Sequence, residues 1–76
     1  MPPLPRPTAA ALLRALKRLG FVEERQRGSH LVLRHHDDPS RFAVVAVHSQ
    51  GTIPPGTLKS ILASTRLSSE DLVREL

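Results

Sequence analysis

The chain has 76 residues, seven of them proline and none of them cysteine. A chain of this length forms one small domain. Without cysteine, neither a disulfide framework nor a thiolate zinc site stabilises it. No apolar run is long enough to span a bilayer, and the N-terminus lacks the apolar segment of a secretion signal. We therefore expect a protein of the cytoplasm that does not enter a membrane.

The charge is positive, because eleven lysines and arginines oppose seven acidic residues and give a net charge of +4 with neutral histidines. Nine of the eleven are arginine, whose planar guanidinium suits phosphate oxygens. This balance favours a nucleic acid or an acidic protein as partner. An arginine-rich composition also arises without any functional cause, and that interpretation stays open.

The first helix is predicted over residues 8–19, after an extended, proline-rich segment over residues 1–7. Thr8 is placed as the N-cap, and Gly20 ends the helix as a residue that adopts a positive φ. The apolar positions between them have the spacing of one helical face: Ala9, Leu12, Leu13, Leu16 and Leu19. Residues 8–76 are predicted to form the single folded domain.

Three strands are predicted next, over residues 21–25, 29–35 and 42–47, with Gly28 in the first turn. The second strand alternates, so that Leu31 and Leu33 share one face while His30, Val32 and Arg34 share the other. The third strand is apolar on both faces. This pattern predicts an antiparallel meander.

A second helix is predicted to begin at Gly56-Thr57 and to bury Leu58, Ile61 and Leu62, with Thr65 as a further candidate. Ser68 and Asp71 have the spacing of a capping box, which predicts a short final helix that buries Leu72, Val73 and Leu76. The predicted class is α+β in the order α-β-β-β-α, with two helices on one face of a three-stranded antiparallel sheet and a short C-terminal helical turn. Double-stranded-RNA-binding domains have the same order.

Four motifs occur in order along the chain. They are Gly20-Phe21, Arg27-Gly28-Ser29-His30, residues 56–62 (GTLKSIL) and residues 67–72 (LSSEDL). Together they resemble the HicA family, the small mRNA-cleaving toxins of bacterial and archaeal toxin–antitoxin pairs. The resemblance covers about residues 12–72. The proline run and the paired Pro54-Pro55 depart from the family pattern, and the pair can shift the start of the second helix.

The resemblance implies a fold like that of the double-stranded-RNA-binding domain and an endoribonuclease, or mRNA interferase, that needs no metal and no cofactor. It also implies that His30, the histidine of the Gly-Ser-His motif, is catalytic, and that a HicB-like antitoxin holds the enzyme inactive. Gly28 is predicted to position this segment through a positive φ, and Ser29 either donates to phosphate or caps the turn.

RNA is cut without a metal when its own 2′-hydroxyl attacks the adjacent phosphorus. We hypothesise that His30 serves as the general base or acid and that Arg25, Arg27 and Lys59 contact the phosphate. His48 is the candidate second acid or base, provided that the register pairs it with His30 or at least places both on one face.

His35 and His36 lie in a turn beside Asp37 and Asp38. Their spacing shows no i, i+4 pair and no compact ligand set, so no metal site is predicted. We expect a solvated loop.

Two rival functions fit the same fold. One is a non-catalytic RNA-binding module, although Phe21 and Phe42 are the only aromatic rings apart from histidine and no stacking platform is expected. The other is a small adaptor whose exposed sheet face binds a protein.

Overall fold

The structure, a computed structural model, describes residues 4–48 and 50–76. Residues 1–3, the beginning of the segment expected to be extended, lie outside the described residues. Within the described part, the elements are α1 (Ala9–Arg18), β1 (Phe21–Arg27), β2 (His30–His35), β3 (Phe42–Ala46), α2 (Pro55–Thr65) and α3 (Ser69–Glu75). The predicted α+β class and chain order are confirmed. None of these helices is long and apolar enough to cross a membrane.

Helix α1 begins and ends where the sequence predicts. The Thr8 hydroxyl accepts a hydrogen bond from the Ala11 N–H at 3.2 Å, as an N-cap does. The chain leaves the helix through Gly20, whose φ is +96°. The buried side of the helix consists of Ala9, Leu12, Ala15 and Leu16.

Gly20 also allows two imidazoles to approach the backbone closely. A Cβ at this position would lie 2.8 Å from His35 Nε2 and 2.9 Å from His36 Cδ2. The His36 N–H donates to the Gly20 carbonyl at 3.0 Å. The glycine therefore fixes where the chain beyond β2 crosses the end of α1.

The sheet has the strand order β1-β2-β3, and both pairings are antiparallel. Its inner face packs against the helices and carries four side chains that are buried: Leu31, Leu33, Ala43 and Val45. The opposite side is the outer face. Because β2 alternates as predicted, His30 points away from the core.

Strand β1 contains a bulge that the sequence does not reveal. Glu23 lies opposite Leu33 and Arg25 lies opposite Val32, so Glu24 is an extra residue on β1. A bulge of one residue exchanges the faces of all side chains that follow it. Arg25 and Arg27 consequently lie on the outer face, where Glu24 and Gln26 would lie without the bulge.

The paired prolines begin helix α2. Pro54 is the N-cap residue and Pro55 is the first helical residue, a position where the missing N–H costs no hydrogen bond. The helix starts one residue before the predicted Gly56. It buries Leu58, Ile61 and Thr65, whereas Leu62 is partly buried. The carbonyl of its last residue is bonded to the residue before β3, because Arg41 Nε donates to the Thr65 carbonyl at 2.7 Å.

Helix α3 has the predicted capping box but not the predicted burial. The Ser68 hydroxyl accepts from the Asp71 N–H, and the Asp71 carboxylate accepts from the Ser68 N–H, both at 3.0 Å. Leu72 is buried, but Val73 is 49% exposed and Leu76 is 46% exposed, so their predicted burial is wrong. The helix is short and packs on α1 through one side only, so these two side chains face solvent.

The capping box makes the stability of the fold sensitive to acid. Hydrogen bonds from the Ser68 N–H and hydroxyl group lower the pKa of Asp71. A carboxyl with a lowered folded-state pKa stabilises the fold above its unfolded pKa of about 3.9, and this contribution is lost as the pH falls through the folded value. We expect the melting temperature to fall below about pH 4, and to fall less in Asp71→Asn. Circular dichroism melts at several pH values test this, with Glu70→Gln as the control; equal acid sensitivity in Asp71→Asn would contradict it.

Candidate functional site

The outer face collects most of the residues that the sequence singles out. Directly opposed residues in an antiparallel pair present their side chains on the same face, so the register defines three rows across the sheet. The rows are Arg27-His30-Ala46, Arg25-Val32-Val44 and Val22-Arg34-Phe42. Most of these side chains are exposed, and helix α2 borders the face beside Phe42 and Val44.

The first row places a histidine beside an arginine. His30 and Arg27 are Cα partners at the hairpin end of β1 and β2, and both are exposed. The Cβ atoms of such partners are about 4.5–5.5 Å apart. The imidazole and the guanidinium can therefore contact the same phosphate group. Among the described residues, neither side chain has a hydrogen bond or an ion pair that would hold it elsewhere.

Gly28 and Ser29 form the turn between Arg27 and His30. Gly28 has a φ of +59°, and no atom of the described residues lies within 4 Å of the place where its Cβ would be. The Gln26 amide donates to the Gly28 carbonyl at 2.9 Å, and the Val47 N–H donates to the Ser29 carbonyl at 2.8 Å. Hydrogen bonds therefore hold the carbonyls of both turn residues, and the space beside Gly28 is open to a ligand.

The second and third rows add two more arginines. Arg25 is exposed beside Val32, and its guanidinium has no partner among the described residues. Arg34 is held more firmly, because its Nε contacts the Glu24 carboxylate and its guanidinium donates to the Pro39 carbonyl at 3.0 Å. Glu24, the bulge residue, therefore neutralises Arg34 and leaves the charges of Arg25 and Arg27 available.

His48 lies near the same end of the sheet as His30, but beyond the end of β3. The register pairs His30 with Ala46, so the direct pairing of His30 with His48 is wrong. Strand β3 ends at Ala46, and His48 lies in the turn that follows. The backbone pairing between Val47 and Ser29 keeps this turn beside the hairpin, and His48 is exposed there.

Lys59 does not lie with His30, Arg25 and Arg27 on the outer face. Helix α2 turns Thr57, Ser60 and Ser64 toward β3. At about 100° per residue, Lys59 projects roughly 130° away from the middle of that side. It is exposed on the part of α2 that faces away from β3.

The outer face also presents an exposed aromatic ring, although no stacking platform is expected from the sequence. Phe21 is buried, but Phe42 is 38% exposed and lies under the Arg34 guanidinium, with 5.6 Å from the guanidinium carbon to the ring centroid. The ring borders an open groove of about 300 Å³ between β3 and α2. The other residues that line the groove are Val44, Thr57, Ser60, Ile61 and Ser64.

A second cluster lies at the opposite end of β2 from His30. The rings of His35 and His36 stack with centroids 4.9 Å apart, and His36 Nδ1 lies 3.1 Å from an Asp37 carboxylate oxygen. Ligand atoms of these three residues lie within 4.8 Å of one another, so the group is compact enough to hold a metal ion. The chain spacing does not reveal this grouping, because it depends on the chain turning over Gly20 after β2.

The chain matches a known protein family over most of its length. A family model described as the HicA toxin of bacterial toxin–antitoxin systems matches residues 9–67. Among curated proteins, no sequence matches the chain. The family match includes both helices that pack on the sheet and the whole hairpin that carries His30. The chain belongs to the HicA toxin family of bacterial toxin–antitoxin systems.

Proposed function

We propose that this protein is a metal-independent endoribonuclease, an mRNA interferase, that acts in the cytoplasm as the toxin of a HicA/HicB-type pair. The observation that carries the proposal is the first row of the outer face. There a histidine and an arginine lie directly opposite each other, exposed and without other partners among the described residues. The membership of the chain in a toxin family supports it.

The proposed reaction uses the RNA itself as nucleophile. The 2′-oxygen forms a bond to the adjacent phosphorus, and the bond from phosphorus to the 5′-oxygen breaks. His30 takes the proton from the 2′-hydroxyl as general base or gives one to the departing 5′-oxygen as general acid. The products are a 2′,3′-cyclic phosphate and a 5′-hydroxyl. His48, in the turn beside the hairpin, is the proposed group for the second proton transfer.

Arg27 and Arg25 are proposed to bind the phosphates. Arg27 lies closest to the imidazole and stabilises the charge that develops on the phosphoryl oxygens. Arg25, one row farther along β1, binds a neighbouring phosphate. Gly28 and Ser29 are positioning residues, because the turn sets where His30 begins β2. Lys59 lies outside the proposed site, because α2 directs it away from β3.

The partner is proposed to be a HicB-like antitoxin that covers the outer face. The face carries exposed apolar side chains, including Val22 and Val44, beside its arginines. A protein surface with apolar contacts and acidic residues would bury both and would exclude RNA. The outer face would then bind either the RNA substrate or the inhibiting antitoxin. Protein binding, the role of the outer face in the adaptor alternative, is thereby combined with RNA binding.

Induction in cells tests the proposed function. The wild-type chain and His30→Ala are expressed separately, while growth and bulk mRNA are followed. The proposal predicts growth arrest and mRNA loss with the wild type and neither with His30→Ala. Equal effects from both forms would indicate a non-catalytic RNA-binding module, and no effect from either would indicate an adaptor.

A further inference from the structure

Phe42 and the groove beside it extend the outer face beyond the residues of the proposed reaction. Phe42 lies in the third row, four residues along the strand from Ala46 in the row of His30. At about 3.3 Å per residue, the two rows are roughly 13 Å apart. A single-stranded RNA whose phosphate lies at His30 and Arg27 can reach this distance with the nucleotides next to it.

We propose that the groove between β3 and α2 is a subsite in which a base of single-stranded RNA stacks on the Phe42 ring. The proposal rests on the proposed function in one respect, namely that RNA occupies the outer face. The shape of the groove suits a nucleobase. Its walls are the Phe42 ring, Val44 and Ile61, and its remaining lining residues carry hydroxyl groups.

The Phe42 ring is restrained by a neighbouring side chain. Arg34 lies over it and is itself restrained by Glu24 and by the Pro39 carbonyl. A restrained aromatic ring loses little conformational freedom when a base stacks on it. Stacking on aromatic side chains is a general way in which proteins bind single strands, because every base has a π-face.

The hydroxyl groups of α2 suit the polar edge of a base. Ser60 donates to the Gly56 carbonyl and Ser64 donates to the Ile61 carbonyl, each at 3.2 Å. Each hydroxyl oxygen therefore keeps lone pairs that accept hydrogen bonds. The faces of the base then contact the apolar walls of the groove, and its polar edge meets the hydroxyl acceptors of α2.

Charge favours RNA as the occupant of this groove. Arg25, Arg27 and Arg34 lie on the same face, and the single acidic side chain that contacts them among the described residues is Glu24. A polyanion that crosses the first two rows meets Arg27 and Arg25, whose charges are available, and then reaches the third row, where Arg34 is paired with Glu24. Val44, which lines the groove, lies in the row next to that of His30, so one strand can occupy both places.

Binding to a form that cannot cut RNA tests the subsite. The His30→Ala protein is titrated into a fluorescein-labelled adenosine octamer and into an abasic octamer with the same ribose-phosphate chain, and anisotropy gives both affinities. We expect tighter binding to the adenosine octamer by about five-fold or more, the range for stacking of one base on one ring. Adding Phe42→Leu should abolish this difference, because leucine keeps the apolar packing but has no ring, whereas Phe42→Tyr should retain it.

The control is Val73→Ala, which shortens another exposed apolar side chain on α3, away from the outer face. Equal affinity for the two octamers, or a Phe42→Leu form that still distinguishes them, would overturn the subsite and leave the nuclease proposal standing. Phe42-dependent discrimination in a chain whose wild type cuts no RNA would support the subsite and refute the nuclease. No binding to either octamer would overturn both.

Discussion

His30→Ala is expected to lower the rate of RNA cleavage by about a hundred- to ten-thousand-fold, the usual contribution of a positioned acid or base. The imidazole is the side chain in the first row that can act as a general acid or a general base. Arginine beside it stays charged and cannot replace it. Single-turnover cleavage of a labelled single-stranded RNA by purified protein measures the effect.

The same substitution should leave the fold intact. His30 is exposed on the outer face and has no hydrogen-bond partner among the described residues, so the free energy of unfolding should change by no more than about 0.5 kcal/mol. His36→Ala is the matched control, since it removes another exposed imidazole at the far end of β2. A stable His30→Ala protein that cuts RNA as fast as the His36→Ala protein would exclude His30 from catalysis.

Arg25→Ala combined with Arg27→Ala is expected to weaken RNA binding by about 25-fold at 0.1 M salt. Each phosphate contact on a single strand contributes about 0.7 to the slope of log affinity against log salt, so the loss of two contacts lowers the slope by about 1.4. The bulge at Glu24 is the reason for this expectation, because it places both guanidinium groups on the face of His30. Anisotropy titrations over a series of salt concentrations, in the His30→Ala background, measure the slope.

A charge-matched control separates specific contacts from net charge. Arg6→Ala combined with Arg14→Ala also removes two positive charges, and both residues are exposed. Arg14 lies on the solvent side of α1, which packs on the inner face of the sheet. If the two double variants lose equal slope, RNA senses the overall charge of the protein, and the outer face is not its binding surface.

The helices and the direction of His30 could be predicted from the sequence, because they depend on local chemistry. Thr8 and Gly20 bound α1 through a hydroxyl cap and a positive φ, and the alternation around Leu31 fixes which way His30 points. The apolar pattern of the last helix gave the wrong burial for Val73. Its burial depended on how α3 sits against α1, and periodicity alone does not contain that information.

The composition of the outer face could not be predicted. The sequence of β1, FVEERQR, has no apolar alternation after Phe21, so nothing in it marks Glu24 as the bulge residue. In β3 both faces are apolar, and only the register with β2 shows that Phe42 and Val44 face outward. The position of His48 depended on the same register, which stops at Ala46 and leaves this histidine in a turn.

The chemical ends of the RNA fragments provide the most direct test of the proposed metal-independent cleavage. The wild-type protein is incubated with a single-stranded RNA in the presence of a metal chelator, and the termini of the products are identified by mass spectrometry. The proposed reaction predicts cleavage that yields a 2′,3′-cyclic phosphate and a 5′-hydroxyl. Products that carry a 5′-phosphate, or cleavage that occurs only when a divalent cation is supplied, would contradict it.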